Sequence, residues 1–141
     1  MEKIERIKLL DRKFKTMIPA EEIDKAVQRV ADQLNERYKG KTPIFLGVLS
    51  GAFLFLSDLV RKTTFDCRLA FVKISSYDGT QSTGTVKQHL GIDFDIEGKD
   101  IIIIEDIVET GHSMNYLLDY LKERLIFSII PVLLLFHYFF H

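Results

Sequence analysis

Short apolar runs alternate with stretches of helical periodicity along most of the chain. From Pro19 to Gly40, apolar residues recur every three or four positions, which predicts an amphipathic helix. Residues 44–49 and 65–75 are apolar runs typical of strands, and residues 53–60 between them have helical spacing. Strands that alternate with helices favour an α/β fold, a mainly parallel sheet covered by helices.

The clearest strand is a run of four isoleucines at residues 101–104, followed by Glu105 and Asp106. A β-branched run of this kind predicts a strand buried on both faces, so the two acids are expected at its carboxyl end. Ligands bind at that end in an open α/β sheet. Apolar residues then recur at helical spacing from Met114, so residues 110–113 are predicted to form a tight turn at a helix start.

The remaining segments are less regular. Residues 77–85 are rich in Gly, Ser and Thr and predict a mobile loop, and residues 87–94 predict a strand that returns as a hairpin. Residues 125–141 form an atypical apolar tail without Asp, Glu, Lys or Arg. A spanning helix needs about 20 apolar residues, and Pro131 lies in a shorter run, so the tail favours a buried strand with an unusual continuation. Contact with a membrane or partner, and a tail that does not fold natively, stay open as alternatives.

Composition fits a single cytoplasmic domain over residues 1–141. The formal charge of -1 provides no global field that would recruit nucleic acid or an acidic membrane. Cys67 is the one cysteine, so no internal disulfide can form and a reducing compartment is expected. Residues 1–15 interleave charges with Ile and Leu and lack the apolar core of a secretory signal.

Two strand-to-helix turns could bind anions. At the turn of residues 110–113, backbone amides and the Thr110 and Ser113 hydroxyls could hold a phosphate, and Gly111 would let the backbone approach it closely. The alternative is that Thr110 or Ser113 merely caps the helix. The second turn, Ser50-Gly51-Ala52, lacks a nucleophile-elbow motif, and the chain has no Walker motif, which argues against a serine hydrolase and a nucleoside triphosphatase.

Three acids surround the first turn. Glu105 and Asp106 could hold sugar hydroxyls or Mg²⁺, but both could serve only if the strand has already begun to turn; alternatively they are a solvated pair. Glu109 is a candidate general base or a stabiliser of a cationic transition state, or else simply a favourable acid at a helix start. His112 fits an exposed turn position at least as well as a chemical role.

Together these motifs resemble type I phosphoribosyltransferases, most closely the hypoxanthine/guanine branch. The resemblance is carried by residues 46–53, by Ser75-Ser76-Tyr77 with residues 81–84, and by the signature of residues 101–114. It implies a Rossmann-like α/β fold, a mainly parallel twisted sheet flanked by helices. It also implies a purine salvage enzyme that uses 5-phosphoribosyl 1-pyrophosphate (PRPP), Mg²⁺ and hypoxanthine or guanine to make IMP or GMP plus pyrophosphate.

The resemblance also implies roles for individual residues. Glu105 and Asp106 would hold the ribose hydroxyls and the metal, and Glu109 would sit by the purine N7 as the base. Residues 109–113, including His112, would cradle the 5′-phosphate, and Ser50 with Gly51 would face pyrophosphate. Ser76 and Tyr77 would lead the loop that closes over the reaction. A homo-oligomer, dimer or tetramer, is expected, with no membrane partner and with nucleic acid disfavoured as a partner.

The chain departs from the family pattern at two places. Glu109 stands where the family usually has Asp, and no C-terminal Lys, aromatic residue or acid of the purine site is identifiable after Arg124. We therefore expect the C-terminal hood elements to be lacking. Two rival hypotheses follow: a weak or inactive relative that senses nucleotides as a regulator and contacts nucleic acid or a partner, and an incomplete domain that self-associates through its tail.

Overall fold

A parallel sheet forms the centre of the protein. The computed structural model describes residues 6–76, 86–106, 112–124 and 128–133. Within these residues, one sheet has five strands, in the order β5-β4-β3-β6-β7. Its strands are β3 (Ile44–Leu49), β4 (Arg68–Ser76), β5 (Val86–Leu90), β6 (Asp100–Glu105) and β7 (Ser128–Leu133). All neighbouring strands are parallel except β5, which pairs antiparallel with β4. The α/β fold predicted from the sequence is confirmed.

Helices cover both faces of this sheet. Helices α1 (Ala20–Arg37) and α2 (Phe53–Lys62) pack on one face, and α3 (His112–Lys122) packs on the other. Each helix buries a stripe at helical spacing, as an amphipathic sequence requires. In the part of the chain that the structure describes, no helix combines the length and the apolar character needed to cross a membrane.

The isoleucines of β6 join the two cores. Ile102 and Ile104 pack with α1 and α2, whereas Ile101 and Ile103 pack with α3, because successive side chains of a strand point to opposite faces. All four side chains are fully buried. The apolar run therefore fills both layers, and charge is confined to the strand ends.

The N-terminal segment forms a separate hairpin that the sequence pattern did not predict. Strands β1 (Arg6–Leu9) and β2 (Arg12–Lys15) pair antiparallel in a two-stranded sheet of their own. All side chains of residues 10–17 are exposed, including Leu10 and Met17. At residues 10–17, charged and apolar side chains alike therefore face solvent rather than a core.

Two predicted strands differ from those observed. The predicted strand at residues 65–75 begins at Arg68, because Phe65 instead packs against Phe45 and Tyr38, with ring centroids 5.9 and 5.7 Å apart. The predicted strand at residues 87–94 ends at Leu90. Phe94 lies beyond the strand and packs against the α3 side of the core, where the Arg68 guanidinium stacks on its ring at 3.9 Å.

The tail prediction is confirmed for residues 128–133, which form β7 beside β6. Ser128 and Ile129 are half-buried rather than fully buried as predicted, and β7 has one neighbour among the described strands. An edge position explains how Pro131 is accommodated, because proline lacks the N–H that a central strand needs. Ser128 Oγ donates a hydrogen bond of 2.5 Å to Asp100 Oδ1, which ties the starts of the two strands.

Candidate active site

The carboxyl ends of β3 and β6 meet at one edge of the sheet. The two strands are parallel neighbours, with Gly47 of β3 opposite Ile104 of β6. The residues that follow them, Ser50-Gly51 after β3 and Asp106 after β6, therefore emerge side by side. The sequence treated these turns as separate candidate sites, whereas the strand pairing brings them into one.

Gly51 and Asp106 are in direct contact. A Cβ atom added to Gly51 would lie 2.6 Å from Oδ2 and 2.9 Å from Oδ1 of Asp106. These distances are shorter than any ordinary contact of a Cβ atom, so the carboxylate lies against the bare backbone of Gly51. The turn after β3 and the acid after β6 thus share one surface.

The two acids adopt different environments. Strand β6 ends at Glu105, and Asp106 lies in a bend, so the chain has begun to turn as joint action of both side chains requires. The backbone N–H of Asp106 donates a hydrogen bond of 3.0 Å to Glu105 Oε1. Burial, followed by the hydrogen bond and charge of Asp106, raises the pKa of Glu105 to about 8. The pair therefore favours a bound proton or another cationic or donor group at this edge.

The turn after β3 is held by its own backbone. Ala52 N–H donates to Val48 O and Phe53 N–H donates to Ser50 O, both at 3.2 Å, and the Leu49–Ser50 peptide bond is cis. Ser50 and Gly51 are exposed. Helix α2 follows at once, with Ala52 as its N-cap, no side-chain cap hydrogen bond and no acid in its first turn. Such a helix start leaves a positive dipole end near the turn.

Helix α3 begins at His112, so His112 and Ser113 belong to its first turn rather than to a preceding loop. His112 is exposed and Ser113 is half-buried. Both residues stay at the N-terminal end of α3, where the positive end of the helix dipole suits an anion. Glu109, Thr110 and Gly111 lie outside the described residues.

The proposed closing loop is described at its start alone. Ser76 is the last residue of β4, which extends past the end of β3 on the same side of the sheet. Tyr77 and the predicted loop at residues 77–85 lie outside the described residues, as does the end of the tail at residues 134–141.

Known proteins with similar sequences and folds include hypoxanthine-guanine phosphoribosyltransferases. A hypoxanthine-guanine phosphoribosyltransferase of Lactococcus lactis is 39% identical over 113 residues, which cover 78% of this chain and 61% of that protein. The enzyme of the same name from Aquifex aeolicus is 38% identical over 115 residues, covering 80% of this chain and 65% of the relative. The chain thus spans about three fifths of the length of these two relatives.

The solved structures and the family comparison agree with these relatives. A hypoxanthine phosphoribosyltransferase from Staphylococcus aureus superposes with a TM-score of 0.77 at 34% identity, covering 83% of this chain and 64% of that one. The family model described as the phosphoribosyl transferase domain matches residues 18–137. This range includes both strand-end turns and the acid pair, and the chain belongs to the phosphoribosyl transferase domain family.

Proposed function

We propose that the protein transfers the 5-phosphoribosyl group from PRPP to hypoxanthine or guanine, giving IMP or GMP and pyrophosphate. The names of the relatives support the reaction class. The observation that carries the proposal is the contact of Gly51 with Asp106, because it joins an anion-binding turn to a pair of acids. PRPP carries a pyrophosphate, a diol and a 5′-phosphate on one ribose, and the site offers a matching group for each.

The donor is bound by three neighbouring parts of the site. The amides of Ser50 and Gly51 face the pyrophosphate, next to the positive end of α2. Glu105 and Asp106 accept hydrogen bonds from the ribose hydroxyls. His112 and Ser113 at the start of α3, together with Thr110 and Gly111, cradle the 5′-phosphate. A phosphate at each helix start and a diol between them orient the anomeric carbon towards the purine.

The acid pair also suits Mg²⁺. This ion commonly takes one or two protein carboxylates and completes its shell with water and substrate phosphates. Glu105 and Asp106 supply two carboxyl groups, and no group of three or more candidate ligands occurs among the described residues. When bound, Mg²⁺ would neutralise charge on the pyrophosphate leaving group. A cation beside Glu105 would also offset the effect of Asp106 that raises the pKa of Glu105.

The remaining residues act on the purine and on water. Glu109 accepts the proton from the purine N7 as N9, the nitrogen that carries ribose in IMP and GMP, attacks the anomeric carbon, where the bond to pyrophosphate breaks. Positive charge that develops on the ribose is stabilised by the nearby carboxylates. Ser76 and Tyr77 lead a loop that covers the site and excludes water, which would otherwise hydrolyse the reactive sugar.

We further propose that the protein is a cytoplasmic homo-oligomer. Phe53 and Leu54 on α2 are 57% and 72% exposed, beside an apolar cavity of about 290 Å³. The cavity is lined mainly by Phe53, Leu56, Val60, Leu69 and Phe71. Exposed apolar side chains next to an apolar cavity support a contact between two copies of the protein through this same face.

Calorimetry tests the reaction in two steps. PRPP is titrated into the protein with Mg²⁺, and the titration is repeated after adding hypoxanthine or guanine, with pyrophosphate release measured in parallel. We expect donor binding in both titrations and pyrophosphate release only with purine present. A folded sample that binds no PRPP and releases no pyrophosphate with any purine would refute the proposal. Donor binding without turnover would instead support the nucleotide-sensing alternative.

A further inference from the structure

We propose that Gly51 is a positioning residue for Asp106. The turn at Ser50 and Gly51 would then fix the position of the acid that binds the ribose hydroxyls. This inference rests on the proposed function and adds to it a link between two parts of the donor site. Gly51 would thus act on a portion of the substrate that it does not touch.

The contact geometry carries the first step. All three carboxylate atoms of Asp106 lie within 3.0 Å of the place where a Cβ of residue 51 would stand. Ordinary contacts of a Cβ atom begin at 3.4 Å, so a methyl group here requires a movement of about 0.8 Å, the difference between 3.4 and 2.6 Å. The glycine is therefore needed for the present position of the carboxylate.

The second step concerns which partner moves. The turn is anchored from both sides by the hydrogen bonds from Ala52 N–H to Val48 O and from Phe53 N–H to Ser50 O. Val48 is itself buried in the sheet. Asp106 instead follows the last residue of β6, and its carboxylate, which is hydrogen-bonded to the Glu105 side chain, ends a short side chain with two rotatable bonds. A methyl group at residue 51 therefore displaces the carboxylate rather than the turn.

The third step is the effect on the ligand. A group held for binding works within about 0.5 Å of its productive position, and a misplacement near 1 Å can cost on the order of 100-fold. Because Asp106 is one of several groups that hold the ribose phosphate, we expect a loss on the order of 10-fold in affinity for the Gly51→Ala variant.

Ribose 5-phosphate separates this role from direct pyrophosphate binding. It carries the diol and the 5′-phosphate but lacks the pyrophosphate that Ser50 and Gly51 face. With Mg²⁺ present, we expect Gly51→Ala to weaken ribose 5-phosphate on the order of 10-fold. In an Asp106→Ala background, which has no carboxylate to displace, the same substitution should cause no further loss. This double-mutant cycle measures the coupling directly.

Gly98→Ala is the matched control. Gly98 has a φ of +69° and nothing within 4 Å of its added Cβ, so alanine there strains the backbone without approaching the site. It should lose stability and keep its affinity for ribose 5-phosphate.

Two results would overturn the inference while leaving the proposed function intact. One is a Gly51→Ala protein that binds ribose 5-phosphate like the wild type and loses affinity for PRPP alone. The other is an equal loss of ribose 5-phosphate affinity in Gly98→Ala at matched stability. A wild-type protein that binds neither PRPP nor ribose 5-phosphate refutes the proposed function, and this inference with it.

Discussion

Replacing Glu105 with glutamine removes a charge from a half-buried carboxyl group and keeps its shape. The amide oxygen can still accept the hydrogen bond that Asp106 N–H donates to Glu105 Oε1. The variant therefore isolates the cost of ionising this group in the folded protein.

The direction of the stability change follows from the pKa of the Glu105 carboxyl group in the folded and the unfolded protein. Its pKa is about 8 in the folded protein, against about 4.3 for an ordinary glutamate in the unfolded chain. Between these values the folded state holds the proton more tightly, so the free energy of unfolding falls as the pH rises from about 4.3 to about 8 and then levels off. At ~1.36 kcal/mol per pH unit the upper limit is ~5 kcal/mol. Because the side chain is only half-buried and water screens its charge, we expect ~1–2 kcal/mol.

Urea unfolding of both proteins at several pH values between 5 and 9 measures this difference. Glu105→Gln should be more stable than the wild type by ~1–2 kcal/mol at pH 8 and above, with a smaller gap at pH 5. The same variant should bind ribose 5-phosphate more weakly, because it has lost a carboxylate that accepts from the ribose hydroxyls. Glu97→Gln, a change at an exposed acid before β6, serves as the control and should alter stability by less than ~0.5 kcal/mol. A destabilised Glu105→Gln protein, or a gap that does not vary with pH, would contradict the reasoning.

Further substitutions test the rest of the site and the fold. Asp106→Asn should lower affinity for ribose 5-phosphate by roughly 10- to 100-fold, the scale of a hydrogen bond to a charged group, as calorimetry would report. Glu109→Gln should lower kcat by about 100-fold or more, and Glu109→Asp should raise it by repositioning the base, as measured by pyrophosphate release. Leu54→Glu should convert the oligomer to monomers in light scattering and change stability by less than ~0.5 kcal/mol. Deletion of residues 125–141 removes β7 and should cost at least ~2 kcal/mol in urea unfolding, since it uncovers apolar side chains of β6.

Each of these outcomes has a clear opposite. Unchanged ligand affinity in both Asp106→Asn and Glu105→Gln would reject the role of the acid pair. Equal turnover of the two Glu109 variants would remove it as the base. A monomeric wild type would contradict the proposed assembly. A deletion that disperses oligomers and leaves stability intact would favour the hypothesis of self-association through the tail.

The central strands could be predicted from the sequence because a proline or charged residues mark their boundaries. Pro43 precedes β3, and Asp100 and Glu105 stand at the two ends of β6, so the buried runs between them allow little choice of register. The β1–β2 hairpin could not be predicted in this way. Its side chains at residues 10–15 are exposed, so burial there imposes no alternation, and its pairing depends on a turn in which Leu10 has a φ of +54°.

The candidate site was predictable in its parts but not in its assembly. Glu105 and Asp106 were recognisable as acids at a strand end, and Gly51 as part of a strand-to-helix turn. Their proximity depends on the pairing of β3 with β6, which are not consecutive strands. No local pattern encodes that neighbour relation, and the raised pKa of Glu105 follows from burial that only the folded chain creates.

The β1–β2 hairpin gives the molecule an uneven distribution of charge. Residues 6–15 contain five Lys or Arg and one Asp, a charge of +4, in a chain whose total is -1, so the other residues together carry -5. Because the hairpin side chains at positions 10–15 are exposed, this positive lobe should hold the protein on a cation-exchange resin at low salt. Its retention should vanish within a few hundred millimolar salt, where screening shortens the reach of the field to a few ångströms.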